Sequence, residues 1–357
     1  MKKFHVLLLI LLCCPAFAQE SEAPQPPVTA KFGGFLITRY NYNDNASGDN
    51  TFGIRCARVI ANGSIMDNFA YSLQLQMEGT TTSINGPHIL DAYVEWQKYS
   101  SIRVKFGQFK RPFTIENHAH TIDQGFYSYG RAVYNLTGLS DRVGEHSCGG
   151  RDMGVQVQGD LFPVNGQPML HYMLGVFNGQ GINVADLNSR KDVIGTLWFT
   201  PVKGMRLGAS GWSGSYGRRY EGKYAEVDRL RYAISGEYLT NDWTFRSEYV
   251  HNYGAAFKEA YGGNLDLDTD LGDEADAWYA LAIAPIIPET LHVKVRYDVY
   301  RDNGNWNRAY NSYDFGVDYH FSKHLVVSAI GSFVNDRRLA AGSHNYCRFD
   351  LQAGFKF

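Results

Sequence analysis

The chain lacks any long apolar segment beyond its first residues. After Leu12, no apolar run approaches the roughly 18 residues that a membrane-spanning helix requires, which excludes a helical membrane protein. Neither sign of charge dominates, because 34 Lys and Arg stand against 36 Asp and Glu, for a net charge of −2. This balance argues against nucleic acid or any other strongly charged partner.

Cysteine is also scarce. Cys13 and Cys14 follow leucines rather than the small residues that lipid attachment prefers, which disfavours a lipoprotein. The other three, Cys56, Cys148 and Cys347, cannot all pair with one another, and their spacing fits no zinc or redox motif. The sequence therefore predicts at most one disulfide, with neither a metal nor a cofactor.

The first residues have the pattern of a secretory signal peptide. Lys2 and Lys3 precede a short apolar run over 6–12, and small residues follow it up to Ala18. Cleavage is predicted between Ala18 and Gln19, so residues 1–18 are a signal peptide. Residues 19–29 are polar and rich in proline, and we expect a flexible periplasmic tail there.

The chain as a whole is rich in aromatic residues and glycine, with 24 Tyr, 21 Phe and 37 Gly. From Ala30 onward, segments of about ten residues alternate apolar and polar positions, as β-strands with one dry and one wet face do. In the segment 291–300, Val293 and Val295 share one face while Lys294 and Arg296 share the other. A transmembrane β-barrel has this alternation, with one face toward lipid and the other toward water.

Connection lengths support the barrel over a soluble sandwich. Short turns alternate with longer polar loops, the plan of bacterial outer-membrane barrels, whose short turns are periplasmic. We predict an all-β fold, a sixteen-stranded antiparallel transmembrane β-barrel over 30–357, with strands near 30–43, 52–65, 69–79, 89–98, 101–110, 152–161, 169–178, 193–201, 205–216, 229–240, 243–252, 276–286, 291–301, 311–321, 325–335 and 345–357.

The last strand alternates up to the final residue and carries Phe349, Phe355 and Phe357 on one face. A terminal aromatic strand of this kind resembles the signal that barrel-assembly machinery reads. The alternative explanation is simply a strand that closes the barrel. The resemblance nevertheless makes the barrel-assembly machinery an expected partner, together with outer-membrane lipid.

Three segments in order resemble the porin O/P-type family, which includes phosphate-selective channels of Gram-negative outer membranes. They are FGQFKRPFTIEN at 106–117, RDMGVQVQGD at 151–160 and YMLGVFNGQGIN at 172–183. The resemblance covers essentially the whole chain after the signal peptide. It implies an outer-membrane location and a homotrimer whose third external loop folds inward to narrow the pore.

The longest connection, about 111–151, has no alternating pattern of its own. Loops of this length in compact domains are usually functional or disordered. Its position matches the constricting loop that the resemblance implies, and a disordered external loop is the alternative.

Charges on the polar strand faces are expected to line the water-filled lumen, because Lys or Arg at the bilayer midplane costs about 2–4 kcal/mol. The basic set is Arg39, Arg103, Lys105, Arg206, Arg231, Arg246, Lys294, Arg296, Arg348 and Lys356, and the acidic set is Glu78, Asp91, Glu95, Glu237, Glu248, Asp298, Asp314, Asp318 and Asp350.

The inward faces of the strands together carry both basic and acidic residues, and strand five is the exception. Arg103 and Lys105 are expected to face inward with no acid beside them, and they lead to Lys110 and Arg111 at the base of the long loop. These four, with Arg39, Lys294 and Arg296 further along the lumen, are the candidates for pore lining or anion binding. Glu78, Asp91 and Glu95 are the candidate lumen acids.

Two motifs superficially suggest a metal. His118 and His120 lie two residues apart with no third ligand at a standard spacing, which favours ordinary loop residues. The acidic loop 265–276 places aspartates at EF-hand offsets, but Leu271 stands where Gly is needed and Ala277 where a bidentate Glu is needed. We expect a solvated loop there, with a calcium site as the alternative.

The function expected from these features is passive diffusion of small hydrophilic solutes or ions. An anion-selective or phosphate-selective channel that uses strand five is the alternative. A barrel hydrolase is more remote, since no Ser, His and Asp group at one depth, as a catalytic triad requires. An adhesive surface protein would carry large external insertions, which this chain lacks.

Overall fold

The computed structural model describes residues 28–45, 48–77, 86–119, 121, 125–126, 128–259 and 261–357. Several predictions made above lie outside these residues: the signal peptide 1–18 with its cleavage between Ala18 and Gln19, most of the tail 19–29, the lumen acid Glu78 and the loop histidine His120.

Sixteen strands form, which confirms the predicted number and order. They are β1 Lys31–Asn43, β2 Asp49–Ile65, β3 Phe69–Met77, β4 His88–Tyr99, β5 Ile102–Lys110, β6 Arg151–Val164, β7 Gln167–Phe177, β8 Asp192–Phe199, β9 Met205–Tyr220, β10 Lys223–Thr240, β11 Trp243–Tyr253, β12 Glu274–Ile287, β13 Leu291–Arg301, β14 Ala309–Ser322, β15 Leu325–Asp336 and β16 Asn345–Lys356.

Each strand pairs with its neighbours in the sequence, and β1 pairs antiparallel with β16 to close the barrel. In this closing pair Leu36 lies opposite Phe355 and Tyr40 opposite Leu351. Closure leaves no edge strand with unpaired backbone groups, as a sheet surrounded by lipid requires.

The two strand faces differ in exposure as the alternation predicts. In β13, Val295 is 47% exposed, while Lys294 and Arg296 on either side are each 3% exposed. The outward face of β16 likewise exposes Phe349, Leu351 and Phe355. Apolar side chains therefore cover the outside, and charged side chains are enclosed.

One connection departs from the predicted alternation of short and long. β9 and β10 extend to Tyr220 and from Lys223, so only Glu221 and Gly222 join them. Both residues have positive φ, at 49° and 76°, as the two-residue type I′ hairpin turn requires. The prediction of a longer loop here was wrong. Both strands continue beyond the segments in which apolar and polar residues alternate, and they end in a tight hairpin.

In the part of the chain that the structure describes, helical structure is confined to short turns in the connections. These are α1 Ile115–His118, α2 Arg131–Leu136 and a 3₁₀ turn at Trp306–Arg308. Among the described residues, none of these turns has the length and apolar character needed to cross a membrane. Both α1 and α2 belong to the connection 111–150, here named the inner loop.

Candidate functional site

The inner loop is fastened to inward-facing side chains on the far wall of the barrel. The carboxylate of Glu248, on β11, accepts hydrogen bonds from the backbone N–H groups of Ile115 (2.6 Å) and Glu116 (2.8 Å) at the start of α1. Ser235 and Tyr279 donate their hydroxyls to the same carboxylate. Glu248 thereby satisfies backbone donors that a helix start leaves open.

β13 provides a second set of attachments. Asp298 accepts the backbone N–H of Arg131, at 3.0 Å to each carboxylate oxygen, where α2 begins. Lys294 donates to the carbonyl of Gly125 at 2.6 Å, and Arg296 donates to the carbonyl of Ser128 at 2.7 Å. Lys294 and Arg296 were predicted to line the lumen, and the structure shows them holding the inner loop.

The base of the inner loop contains a fully buried ion network. Arg111 pairs with Glu145 and Asp152, each at 2.9 Å, and Arg229 on β10 pairs with Glu145 at 2.5 Å, with all four side chains 0% exposed. The Arg111 and Arg229 guanidinium groups each lie 4.8 Å from the ring centre of Trp212. Burial alone would raise the pKa of Glu145, but the two arginines lower it below its ordinary value.

Two further arginines connect the inner loop to the external loops by donating to backbone carbonyls. Arg142 donates to Gly254 and Gly272, and Arg218 donates to Gly144 and Asn264. Arg231 also pairs with Asp141 of the inner loop. The outer end of the loop is thus held on several sides.

Apolar packing completes the seat of the inner loop. Phe113, Phe126, Ala132 and Leu136 are buried in one cluster with inward residues of β7 to β15. Small inward residues of β10 and β12, among them Ala233, Ala275 and Ala277, belong to the same cluster. This part of the interior resembles a protein core rather than a wetted wall.

The opposite part of the interior remains open. A cavity of about 580 Å³ lies between the inner loop and β1, β2, β3, β4 and β16, and residues of β6, β13 and β14 complete its lining. The lining contains seven arginines, namely Arg39, Arg55, Arg58, Arg131, Arg151, Arg296 and Arg348, and a single carboxylate among the described residues, Asp298.

Three of these arginines have carboxylate partners. Arg151 binds Asp91 through two hydrogen bonds of 2.8 and 3.0 Å, and Arg296 donates to Asp314 at 2.8 Å. Arg348 lies 3.9 Å from Asp314.

The remaining four, Arg39, Arg55, Arg58 and Arg131, form no ion pair with a carboxylate of the described residues. Arg55 donates to Gln352, and Arg58 donates to Gln76 and Thr121, which are all neutral. The wall that faces the cavity therefore carries excess positive charge.

The predicted cluster on strand five is compensated, and the expectation of no nearby acid was wrong. Arg103 lies 3.0 Å from Asp160 and 3.9 Å from Glu95, and Lys105 lies 3.7 Å from Glu95. Glu95 is on the adjacent strand and Asp160 is near the end of β6, so the pairing depends on register. Asp160 is far from these bases in the sequence, whereas Glu95 precedes them by eight to ten residues and meets them across the β4–β5 hairpin.

The two bases after strand five are also held by protein groups. Arg111 is 0% exposed within the ion network and so lines no open space. Lys110 donates to the carbonyl of Ala119 at 2.7 Å, which ties β5 to the end of α1. Of the predicted basic candidates, Arg39 and Arg296 line the cavity, and Asp91 is held by Arg151 rather than free.

Arg55, Arg58 and Arg131 were missed as site residues. Arg55 sits where the β1–β2 register shifts, between Ile37 and Thr38, so simple alternation misplaces its surroundings. Arg131 belongs to the inner loop, where no strand pattern exists. The only sequence signal for Arg55 and Arg58 is a basic residue without an acid at the neighbouring same-face positions.

The metal alternatives gain no geometric support. The described residues contain no group of three or more His, Cys, Asp or Glu suited to a metal ion. In the acidic loop, Asp268 instead accepts backbone N–H groups of Asp270 and Leu271. The three cysteines Cys56, Cys148 and Cys347 are free thiols.

The family model for phosphate-selective porin O and P matches residues 33–352. The chain belongs to this porin family. Its barrel is therefore an outer-membrane channel, in agreement with the enclosed charges and the apolar exterior. A comparison with curated proteins gave no match.

Solved porins share the fold at low sequence identity. An anion-selective porin from Comamonas acidovorans aligns with a TM-score of 0.64 and 13% identity, covering 93% of this chain and 100% of that one. OmpF of Salmonella typhi in complex with daunomycin aligns with a TM-score of 0.67 and 10% identity, covering 92% of this chain and 97% of that one. The trimer form of Vibrio cholerae OmpT aligns with a TM-score of 0.57 and 14% identity, covering 93% of this chain and 100% of that one.

Proposed function

We propose that this porin is a passive channel with a preference for anions, and that the arginine-lined cavity is the narrow part of its path. The observation that carries the proposal is the charge of the lining. Four arginines there form no ion pair with a described carboxylate, and Asp298 is the single acid of the described residues that lines the cavity. This replaces strand five as the selective element.

The position of these charges makes them effective. Charges on a wide wall are screened within a Debye length of about 8 Å at physiological salt, whereas charges in a narrow passage act on every ion that enters. The inner loop narrows the passage because it occupies the side of β10 to β14, through its bonds to Glu248 and Asp298. Ions are thus directed along the arginine wall.

A general diffusion channel is the second candidate, favoured by the many ion pairs elsewhere in the interior. In that case the cationic wall keeps the pore hydrated without sorting ions. Phosphate selectivity, which the family description names, is a narrower form of the first proposal. We further propose a non-enzymatic homotrimer that the barrel-assembly machinery inserts through β16.

Selectivity is tested by the zero-current potential in a planar bilayer under a KCl gradient. The wild-type channel should favour chloride. The double variant Arg39→Gln with Arg55→Gln removes two charges from the cavity. If each charge contributes about 0.5 kcal/mol to the free-energy preference for chloride over the cation, the chloride preference should fall about fivefold.

The matched control removes two charges from an external loop. Arg190 and Lys191 are exposed and pair with Asp228 and Asp186, so Arg190→Gln with Lys191→Gln should leave the zero-current potential nearly unchanged. Equal shifts in the two double variants would contradict the proposal, as would a wild-type channel without anion preference.

A further inference from the structure

We infer that the cavity contains a binding site for planar organic carboxylates, centred on Arg131 of the inner loop. The inference rests on the proposed anion preference and specifies the class of anion. Its elements are a guanidinium flanked by two tyrosine rings, a second arginine beside it, and an apolar portion of the lining.

Arg131 lies between two aromatic rings. Its guanidinium carbon is 4.1 Å from the ring centre of Tyr310, on β14, and 5.3 Å from that of Tyr134, on α2. Cation–π contacts of this kind hold a guanidinium in place. A fixed planar group loses little entropy when it binds a carboxylate through paired N–H donors.

The Arg131 side chain remains available for a ligand. It is hydrogen bonded to Tyr310, and it forms no ion pair with a carboxylate of the described residues, since Asp298 is bonded to the backbone N–H of Arg131. Arg348 also donates to the Tyr310 hydroxyl, at 3.0 Å. Two cations thus converge on one tyrosine at the cavity wall.

The other lining residues favour an organic body over a small inorganic anion. Tyr134 is 37% exposed, and Tyr129, Leu90 and Leu139 also line the cavity. Sites for small organic ligands combine apolar and aromatic walls with few polar groups that fix orientation. An inorganic anion would use the arginines but gain nothing from the rings, whereas an aromatic carboxylate can use both.

The test compares two carboxylates as blockers of the chloride current through the full-length channel. Benzoate and cyclohexanecarboxylate carry the same charge and have similar size, but only benzoate is planar and aromatic. Benzoate should reach half-block at a concentration about threefold lower, as expected for one favourable ring contact.

The variant Tyr134→Leu should bring the two half-blocking concentrations together. The matched control is Tyr313→Leu, since Tyr313 is 50% exposed on the outside of β14, and it should retain the wild-type difference. A chloride-preferring wild-type channel that treats both acids alike overturns this inference alone. A wild-type channel without anion preference overturns the proposed function and the inference with it.

Discussion

Arg58 donates a hydrogen bond to the hydroxyl of Thr121 at 3.0 Å, which joins β2 to the inner loop on the side where the interior is open. Most attachments of this loop lie on the opposite side, at Glu248 and Asp298. The Arg58–Thr121 bond therefore attaches the loop to the wall on the open side as well, and both residues line the cavity.

Loss of this bond should make the channel noisier without changing its selectivity. Thr121→Val removes the acceptor but keeps the shape of the side chain and the charge of Arg58. We expect larger single-channel current fluctuations and an unchanged zero-current potential. Thr51→Val is the control, because the exposed Thr51 hydroxyl donates to the carbonyl of the neighbouring Phe52. Identical noise in the two variants would show that the Arg58–Thr121 bond does not restrain the loop.

Stability should depend on pH through Glu116. Burial raises the pKa of Glu116 to about 8 from its ordinary 4.5, with Glu248 adding to the rise and Arg296 and Arg246 opposing it. Above pH 4.5 the folded protein retains a proton that the unfolded chain releases, so stability falls as pH rises toward about 8. The variant Glu116→Gln should not lose stability in this pH range, because its side chain does not ionise. Its amide oxygen can still accept the hydrogen bond from the backbone N–H of Gly130.

The temperature at which the folded band disappears in unboiled gel samples measures this effect. At pH 5 the two proteins should differ little, and at pH 9 the variant should be the more heat-resistant. A difference that is constant across this range would contradict the proposed ionisation.

Breaking the buried network should cost far more than breaking an exposed ion pair. Arg111→Met leaves Asp152 without the guanidinium that it binds at 2.9 Å, and the loss of one partner of a buried pair costs about 3–5 kcal/mol. Arg190→Met, the same substitution at an exposed pair, should cost about 0–1 kcal/mol. The gel-shift temperature and hydrogen exchange at the inner loop measure both variants, and comparable effects would contradict the prediction.

The lipid-facing assignment predicts opposite tolerance for the same charge. Val295→Arg places a cation on the outside of the membrane-spanning barrel and should lower the folded yield, by about 2–4 kcal/mol if the position is at the midplane. Asn41→Arg adds the same side chain inside, near Asp350, which Asn41 contacts at 3.4 Å. Equal yields of heat-modifiable protein after refolding in detergent would mean that the assignment of faces is wrong.

The strands and their faces could be predicted because the information is local. The side-chain period of two requires only neighbouring residues, so Val295 and Lys294 could be assigned to opposite faces from the segment around them. The turns could be predicted where the alternation stops. The hairpin at Glu221 and Gly222 was missed, since the residues on either side of it are mostly polar and no local pattern separated them from a loop.

The alternation gave the wrong environment where the inner loop covers the wall. The inward positions of β12 include Ala275, Ala277 and Tyr279, which pack against the loop rather than against water. A strand that faces a packed loop needs apolar inward residues, and the sequence of the strand alone does not reveal that cover.

The sequence by itself predicted export, and it determined that the chain forms sixteen strands and that its charged face is enclosed. Only the tertiary structure decided which charges remain without acidic partners. Arg103 meets Asp160, Arg231 meets Asp141 and Glu248 meets the backbone at Ile115, in each case across more than fifty residues of chain. Whether a charge is compensated depends on distances in space, and the barrel register and the path of the inner loop determine those distances. The arginines of the cavity could therefore be identified only from the folded structure, which shows the other charges in pairs.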